Sequence, residues 1–237
     1  MHNGLINMNY AIYIFFGLAP SVIWLLFFLR KDSHPESNAM ILKIFFYGML
    51  AAIPVALIEL GFAEVVPIQI IYIFLGIALT EEVFKYLVVR KKVLRNPEFD
   101  EPVDAMLYMI VAALGFAALE NLLIIFPLSQ SSQLLETFLL SSFRFVSATF
   151  LHVLCSGLIG YFLALSILKT KKRFQLRALG ITIAVFLHGL YNFSIISMEG
   201  SLKYIIPIII LISLAIFVSL GFKKVKKLKS ICKIREI

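Results

Sequence analysis

The sequence predicts an all-α membrane protein, a helical bundle of about seven transmembrane helices, and three observations carry this prediction. Hydrophobic residues make up 61% of the chain, and the mean hydropathy of +0.95 is far above that of an ordinary soluble domain. Apolar runs of about 20 residues, long enough to cross a bilayer as helices, recur along the whole sequence. Lysine and arginine concentrate in alternate connecting segments, as they do in membrane proteins of fixed orientation.

The apolar runs divide the chain into seven predicted spans joined by short connections. The segment before the first run has no lysine or arginine, so we interpret this run as a retained anchor and not as a signal peptide. The predicted spans are residues 11–29, 39–62, 67–89, 104–127, 137–168, 178–197 and 203–222. We expect one membrane-embedded domain over residues 1–222, followed by a basic cytoplasmic tail over 223–237.

The distribution of basic residues predicts the orientation. Of the 22 lysines and arginines, eighteen fall on one side of the predicted spans, and only Lys203 falls on the other side. Because these residues concentrate in the cytoplasm, we expect the N-terminus outside and the C-terminus inside. The net charge of +8 is then an orientation signal and predicts no nucleic-acid partner. The partner is the lipid bilayer, and the tail "KKVKKLKS" could also hold anionic head groups.

Five ionisable residues are candidates for positions near the centre of a predicted span, where each charge costs about 2.5–3.5 kcal/mol. They are Glu81, Glu82, Lys85, Glu120 and Arg144. Together they would cost on the order of 15 kcal/mol if they stood alone, more than a marginally stable protein tolerates. We therefore expect them to meet one another, a metal ion or water.

Helical spacing indicates which of these groups can meet. Lys85 follows Glu82 by three residues and Glu81 by four, so it shares a helix face with both. One carboxylate can pair with Lys85 and leave the other for chemistry. A buried ion pair that only locks helix packing is the alternative, and Arg144 could similarly be the partner of Glu120.

Two histidines also fall inside predicted spans. His152 shares a helix face with Thr149 and Ser156, and His188 shares one with Asn192, four residues later. Imidazoles and carboxylates are the ligands of catalytic zinc, which uses three protein ligands and a water.

These residues predict two versions of a hydrolytic site. In the first, Glu120, His152 and His188 hold a divalent metal, preferably Zn²⁺, and Glu81 or Glu82 is the general base. Asn192 would donate a hydrogen bond to the developing oxyanion. In the second, one carboxylate activates water without a metal. Either version could hydrolyse an amide bond.

Helical rise predicts two depths for these groups. Counted from the nearest basic segment or helix start, Glu81 and His188 lie about 14–16 Å deep, and Glu120 and His152 about 24–26 Å. Helix tilt of up to about 40° could close part of this gap of about 10 Å. If it does not, Glu120, Arg144 and His152 form a separate structural cluster. The fifth span, about 32 residues long, is expected to be tilted or kinked.

Four motifs together resemble the PrsW family of intramembrane proteases. They are "EEVFK", "GFAALEN", "HVLCSG" and "HGLYN", in the order of that family's pattern of EExxK, FxxxE, a histidine and HxxxN or HxxxD. The loop "RKDSHPES" is also similar to the family's first cytoplasmic loop, with Ser37 where a proline is usual. The resemblance covers about residues 30–193. The related CAAX-prenyl protease group differs, because it has an arginine one residue after Lys85 and a histidine at Glu120.

The resemblance implies a catalytic set of Glu81, Glu82, Lys85, His188 and Asn192, with Glu120 and His152 as further motif residues. It also implies regulatory cleavage of a membrane-anchored protein substrate, such as an anti-sigma factor, in the plasma membrane of a prokaryote. The sequence does not predict the oligomeric state. An ion- or proton-coupled transporter using the same groups as a relay is the main alternative, and a non-catalytic scaffold or a haem protein ligated by the two histidines are others.

Overall fold

Helices form nearly all of the protein that the computed structural model describes, which comprises residues 2–30, 36–128 and 134–228. The order is α1 (His2–Leu29), α2 (Asn38–Val65), α3 (Gln69–Ile71), a π-helical segment (Tyr72–Leu79), α4 (Thr80–Lys92), α5 (Asp104–Leu128), α6 (Leu134–Val146), α7 (Ala148–Leu168), a 3₁₀ turn (Thr170–Lys172), α8 (Arg173–Ser197) and α9 (Leu202–Val225). The predicted all-α class is confirmed.

Six helical stretches are long and apolar enough to cross a membrane, and they coincide with six of the seven predicted spans. The chain is therefore an integral membrane protein. The remaining predicted span, 67–89, is a continuous helical run of three pieces, α3, the π-helical segment and α4, none of which is long enough alone. The total of seven and the orientation stay predictions. Most of the first-loop motif and the end of the basic tail lie outside the described residues.

The predicted fifth span is broken into α6 and α7 at Ser147, which confirms the expected kink or tilt. The Ser147 hydroxyl donates a hydrogen bond of 2.7 Å to the Phe143 carbonyl, a contact that bends helices. The indole N–H of Trp24 donates to the Phe145 carbonyl at 3.0 Å, because carbonyls at a helix end need partners from outside the helix. The break separates Arg144, on α6, from His152, on α7.

Helices α5 and α7 form the centre of the bundle and are buried over most of their length, whereas the outer helices bury one face. Glycines allow α2 to lie directly against α5. A methyl group at Gly115 would overlap the Phe45 carbonyl oxygen, and one at Gly48 would overlap the Ala112 carbonyl. Small residues at such crossings let backbones touch. This packing fixes the face of α5 that carries Glu120.

The π-helical segment leads directly into the predicted catalytic helix. The Thr80 hydroxyl donates to the carbonyls of Gly76 and Ile77, and the latter bond is 2.9 Å long. Wide helical turns of this kind are often found beside functional sites. Glu81 and Glu82 follow at once, at the start of α4, and both are buried.

Candidate active site

Four helices bring six of the seven predicted site residues into one cluster. Helix α4 supplies the glutamate pair and the lysine, α5 and α7 supply one residue each, and α8 supplies the last. The members are Glu81, Glu82, Lys85, Glu120, His152 and His188. Apart from Glu120, none is more than 4% exposed. The two imidazole rings meet edge to face with their centroids 5.2 Å apart.

Lys85 is the cation at the centre of the cluster. Its Nζ donates to Glu82 Oε1 at 2.6 Å and lies 3.6 Å from Glu81 Oε2. It also donates to His152 Nδ1 at 2.9 Å, so this nitrogen accepts and the other ring nitrogen of His152 carries the proton. The predicted pairing therefore occurs, and it joins Lys85 more closely to Glu82 than to Glu81.

Each histidine is held by its own carboxylate. His188 Nδ1 donates to Glu82 Oε1 at 2.8 Å, and His152 Nε2 donates to Glu120 Oε2 at 2.7 Å. The remaining nitrogens face Glu81 Oε2, at 3.9 Å for His188 Nε2 and 3.5 Å for His152 Nδ1. Carboxylates that orient the far side of an imidazole are typical of metal-ligating histidines.

Glu81, His152 and His188 offer ligand atoms that all lie within 4.8 Å of one another. Two imidazoles and one carboxylate are a donor set suited to zinc. Glu81 Oε2 is buried and has no hydrogen-bond partner among the described residues. A carboxylate oxygen in this state can serve as a metal ligand. The residues present therefore fit a divalent metal. Because Lys85 donates to His152 Nδ1, an ion at this nitrogen would displace Lys85, which would keep its bond to Glu82.

Glu120 takes a different place from the one predicted. The sequence names it as a metal ligand with the two histidines, whereas the structure puts Glu81 between them. Glu120 lies on the outer side of His152 and pairs with Arg144 Nη2 at 2.8 Å. Arg144 Nε also donates to Asn121 Oδ1 at 2.5 Å, and Asn121 donates to Thr149 Oγ1 at 3.1 Å. The pairing with Arg144, left open by the sequence, therefore occurs. It holds Glu120 in place beside His152.

The two depths predicted from helical rise do not separate the cluster. Glu120 and His152 are hydrogen-bonded to each other, and His152 is hydrogen-bonded to Lys85 on α4. Glu81, on the same helix, was expected to differ from His152 by about 10 Å in depth. The count assumed upright helices that begin and end at the same level. Helix tilt and the start of a new helix after the break at Ser147 remove that assumption.

Asn192 lies one helical turn after His188 and is half-buried. Its role as a donor to an oxyanion stays a prediction.

A cavity of about 430 Å³ opens beside the cluster, between α2, the π-helical segment, α4 and α5. Glu81 and Glu120 line it, so Glu81 is the member of the pair that a molecule in the cavity would meet. Glu59 and Tyr72 line it as well. The sequence analysis missed Glu59, although the rule applied to the other intramembrane charges would have found it, since it is an acidic residue within the second predicted span.

Comparison with known proteins agrees with the geometry. A family described as "PrsW family intramembrane metalloprotease" matches residues 36–220. Protease PrsW of Geobacillus kaustophilus is 32% identical over 77% of this chain and 79% of its own length. Protease PrsW of Oceanobacillus iheyensis is 28% identical over 83% of the chain and 88% of its own.

Protease PrsW of Bacillus subtilis is 26% identical over 91% of the chain and 94% of its own length. No solved structure matches. Because these relatives are proteases of prokaryotes, the buried charges are explained by a membrane protease and not by a transporter. The family match covers well over half of the chain and includes every residue of the cluster, so the chain belongs to the PrsW family of intramembrane proteases.

Proposed function

We propose that this protease hydrolyses a peptide bond of a membrane-anchored protein in the site that contains Glu81. A divalent metal would be held there by Glu81, His152 and His188. The observation that carries the proposal is the convergence of both imidazoles on Glu81 Oε2. This oxygen belongs to a cavity-lining residue, is buried, and has no hydrogen-bond partner among the described residues. A bound divalent metal would polarise the scissile carbonyl and make water a stronger acid. Zn²⁺ suits this donor set best.

The surrounding residues have separate roles in this proposal. Glu82 and Glu120 hold the two imidazoles in the orientation that turns their free nitrogens toward Glu81. Glu82 Oε2, which has no hydrogen-bond partner among the described residues, takes the proton of the attacking water and returns it to the leaving amine. Lys85 balances the charge of Glu82, and Asn192 donates to the oxyanion.

A second arrangement without a metal is favoured by the bond between Lys85 and His152. Here Lys85 stays in place, and Glu81 is the general base because it faces the cavity. Water loses its proton to Glu81 and attacks the carbonyl carbon, the C–N bond breaks, and the proton passes to the amine. Both arrangements require Glu81, and they differ in the need for an ion.

The substrate class follows from the site's place inside the helical bundle. A peptide must leave its helical form to enter a cavity of this size, so a single-span protein with an unwound segment near the cavity is the expected substrate. An anti-sigma-factor-like regulator, whose cleavage frees a transcription factor, is our proposed target by analogy with the family resemblance.

The proposal is tested with the full-length protein in liposomes that contain a single-span reporter substrate. We expect Glu81→Gln, Glu82→Gln and His188→Ala to lower cleavage by about 10²–10⁴-fold, the usual contribution of a general base or more. Glu64→Gln is the matched control, because Glu64 is an exposed glutamate of α2. Normal cleavage by Glu81→Gln would end the assignment of the site.

Elemental analysis of the same samples distinguishes the two arrangements. We expect one equivalent of divalent metal in the unmodified protein and a loss of metal in His188→Ala. Active protein that contains no metal and resists chelators would establish the metal-free arrangement instead.

A further inference from the structure

We propose that Glu59 forms a subsite of the cavity that binds a cationic side chain, lysine or arginine, of the substrate. The inference rests on the proposed function, since it assigns the cavity to the substrate. Glu59 lies on α2, is half-buried, and lines the cavity of about 430 Å³ together with Glu81 and Glu120. This volume falls within the range of about 300–1,000 Å³ that is common for ligand sites.

The charges around the cavity leave Glu59 without a partner. Glu120 is paired with Arg144 at 2.8 Å, and Glu82 is paired with Lys85 at 2.6 Å. Within the part of the chain that the structure describes, the Glu59 carboxylate has no hydrogen bond and no lysine, arginine or histidine within 4.0 Å. Glu81 Oε2, in the same cavity wall, lies 3.6 Å from Lys85 Nζ. Glu59 is therefore the carboxyl group of the cavity wall that no lysine, arginine or histidine of the described residues pairs with.

The chemistry of the walls selects the kind of partner. A carboxylate inside a membrane is costly unless it is paired or hydrated, so a cation that enters with the substrate gains more here than in water. The apolar wall residues can contact the aliphatic stem of such a side chain while its charged end reaches Glu59. These wall residues are Ala52, Val55, Ala56, Leu60 and Leu123. The ring of Tyr72, also in the wall, can add a cation–π contact.

The subsite lies close to the scissile bond, because Glu59 and Glu81 line the same cavity. Glu59 comes from α2, and Glu81 comes from the start of α4. A cavity of about 430 Å³ holds only a few residues of extended peptide. The expected cation is therefore within about four residues of the bond that is cut.

The test uses full-length protein in liposomes and a series of single-span substrates whose cut position has been mapped by mass spectrometry. Each substrate carries lysine, glutamine or glutamate at one of the positions within four residues of the cut. We expect lysine to be preferred over glutamate at one position by about tenfold to a hundredfold in kcat/KM, the range of one hydrogen bond to a charged group. The preference is expected in KM more than in kcat.

Variants of Glu59 then assign the preference. Glu59→Gln should reduce it to about twofold or less, and Glu59→Lys should reverse it in favour of the glutamate substrate. Glu59→Asp should retain part of it, and Glu64→Gln should leave it unchanged, because Glu64 is exposed on the same helix. The thermal unfolding midpoint of each variant shows whether it is folded. The reversal by Glu59→Lys is a result that general damage to the protein cannot produce.

Two failures are distinguishable. If the unmodified protein cleaves the series but shows no charge preference, or if Glu59→Gln keeps the preference, the subsite is refuted and the proposed function stands. If the unmodified protein cleaves no membrane-anchored substrate, and Glu81→Gln behaves identically, the proposed function itself is refuted.

Discussion

Replacing Lys85 with methionine should remove about 3–5 kcal/mol from the free energy of unfolding. The Lys85 ammonium lies 2.6 Å from Glu82, and neither side chain has any exposed surface. At an effective dielectric constant of about 20, two unit charges at this distance attract by about 6 kcal/mol. Methionine keeps the length of the side chain but leaves the Glu82 charge buried and uncompensated, and breaking a buried pair in this way typically costs about 3–5 kcal/mol.

The double variant Lys85→Met with Glu82→Gln isolates the electrostatic part of this loss. It removes both charges, and the glutamine oxygen can still accept the hydrogen bond from His188 Nδ1. Because a buried pair replaced as a whole is often close to neutral in stability, we expect the double variant to be more stable than the sum of the single losses by about 2–3 kcal/mol. Both variants should be inactive, since both change the proposed catalytic set.

The assay is reversible unfolding in mixed detergent micelles, followed by circular dichroism. Lys43→Met is the matched control, because Lys43 is an exposed lysine of α2 and should change stability by no more than about 0.5 kcal/mol. A loss below about 1 kcal/mol for Lys85→Met, or strict additivity in the double variant, would refute the conclusion that Lys85 neutralises a buried carboxylate.

Three further variants test the packing and the support of the site. Gly115→Ala should destabilise the protein by about 1–3 kcal/mol in the same unfolding assay, because the added methyl group overlaps the backbone of α2. Gly61→Ala is the control and should not destabilise the protein, because its methyl group enters open space. Arg144→Met should lower kcat/KM by about 10–100-fold, since Glu120 loses the cation that positions it, and unchanged kinetics would show that Arg144 does not act on the site. Glu120→Gln should weaken metal binding by about 10–100-fold through the loss of a charged acceptor at His152, which competition with a metal-sensitive dye measures; unchanged affinity would contradict this positioning role.

The sequence predicts the fold class and the local part of the site well. Hydropathy is a property of neighbouring residues, so six of the predicted spans agree with helices of the structure. The contacts of Lys85 with Glu81 and Glu82 lie within one helix, where spacing alone brings side chains together. Excess length likewise indicated the kink that the structure shows at Ser147.

The sequence by itself therefore determined that this protein lies in a membrane and carries two histidines and several carboxylates into its interior. Only the tertiary structure decided that Glu81, not Glu120, faces both histidines, and that Glu59 shares the cavity. The physical reason is that distances between side chains on different helices depend on tilt, on helix breaks and on the level at which each helix ends. None of these is encoded in the spacing of residues along a single helix.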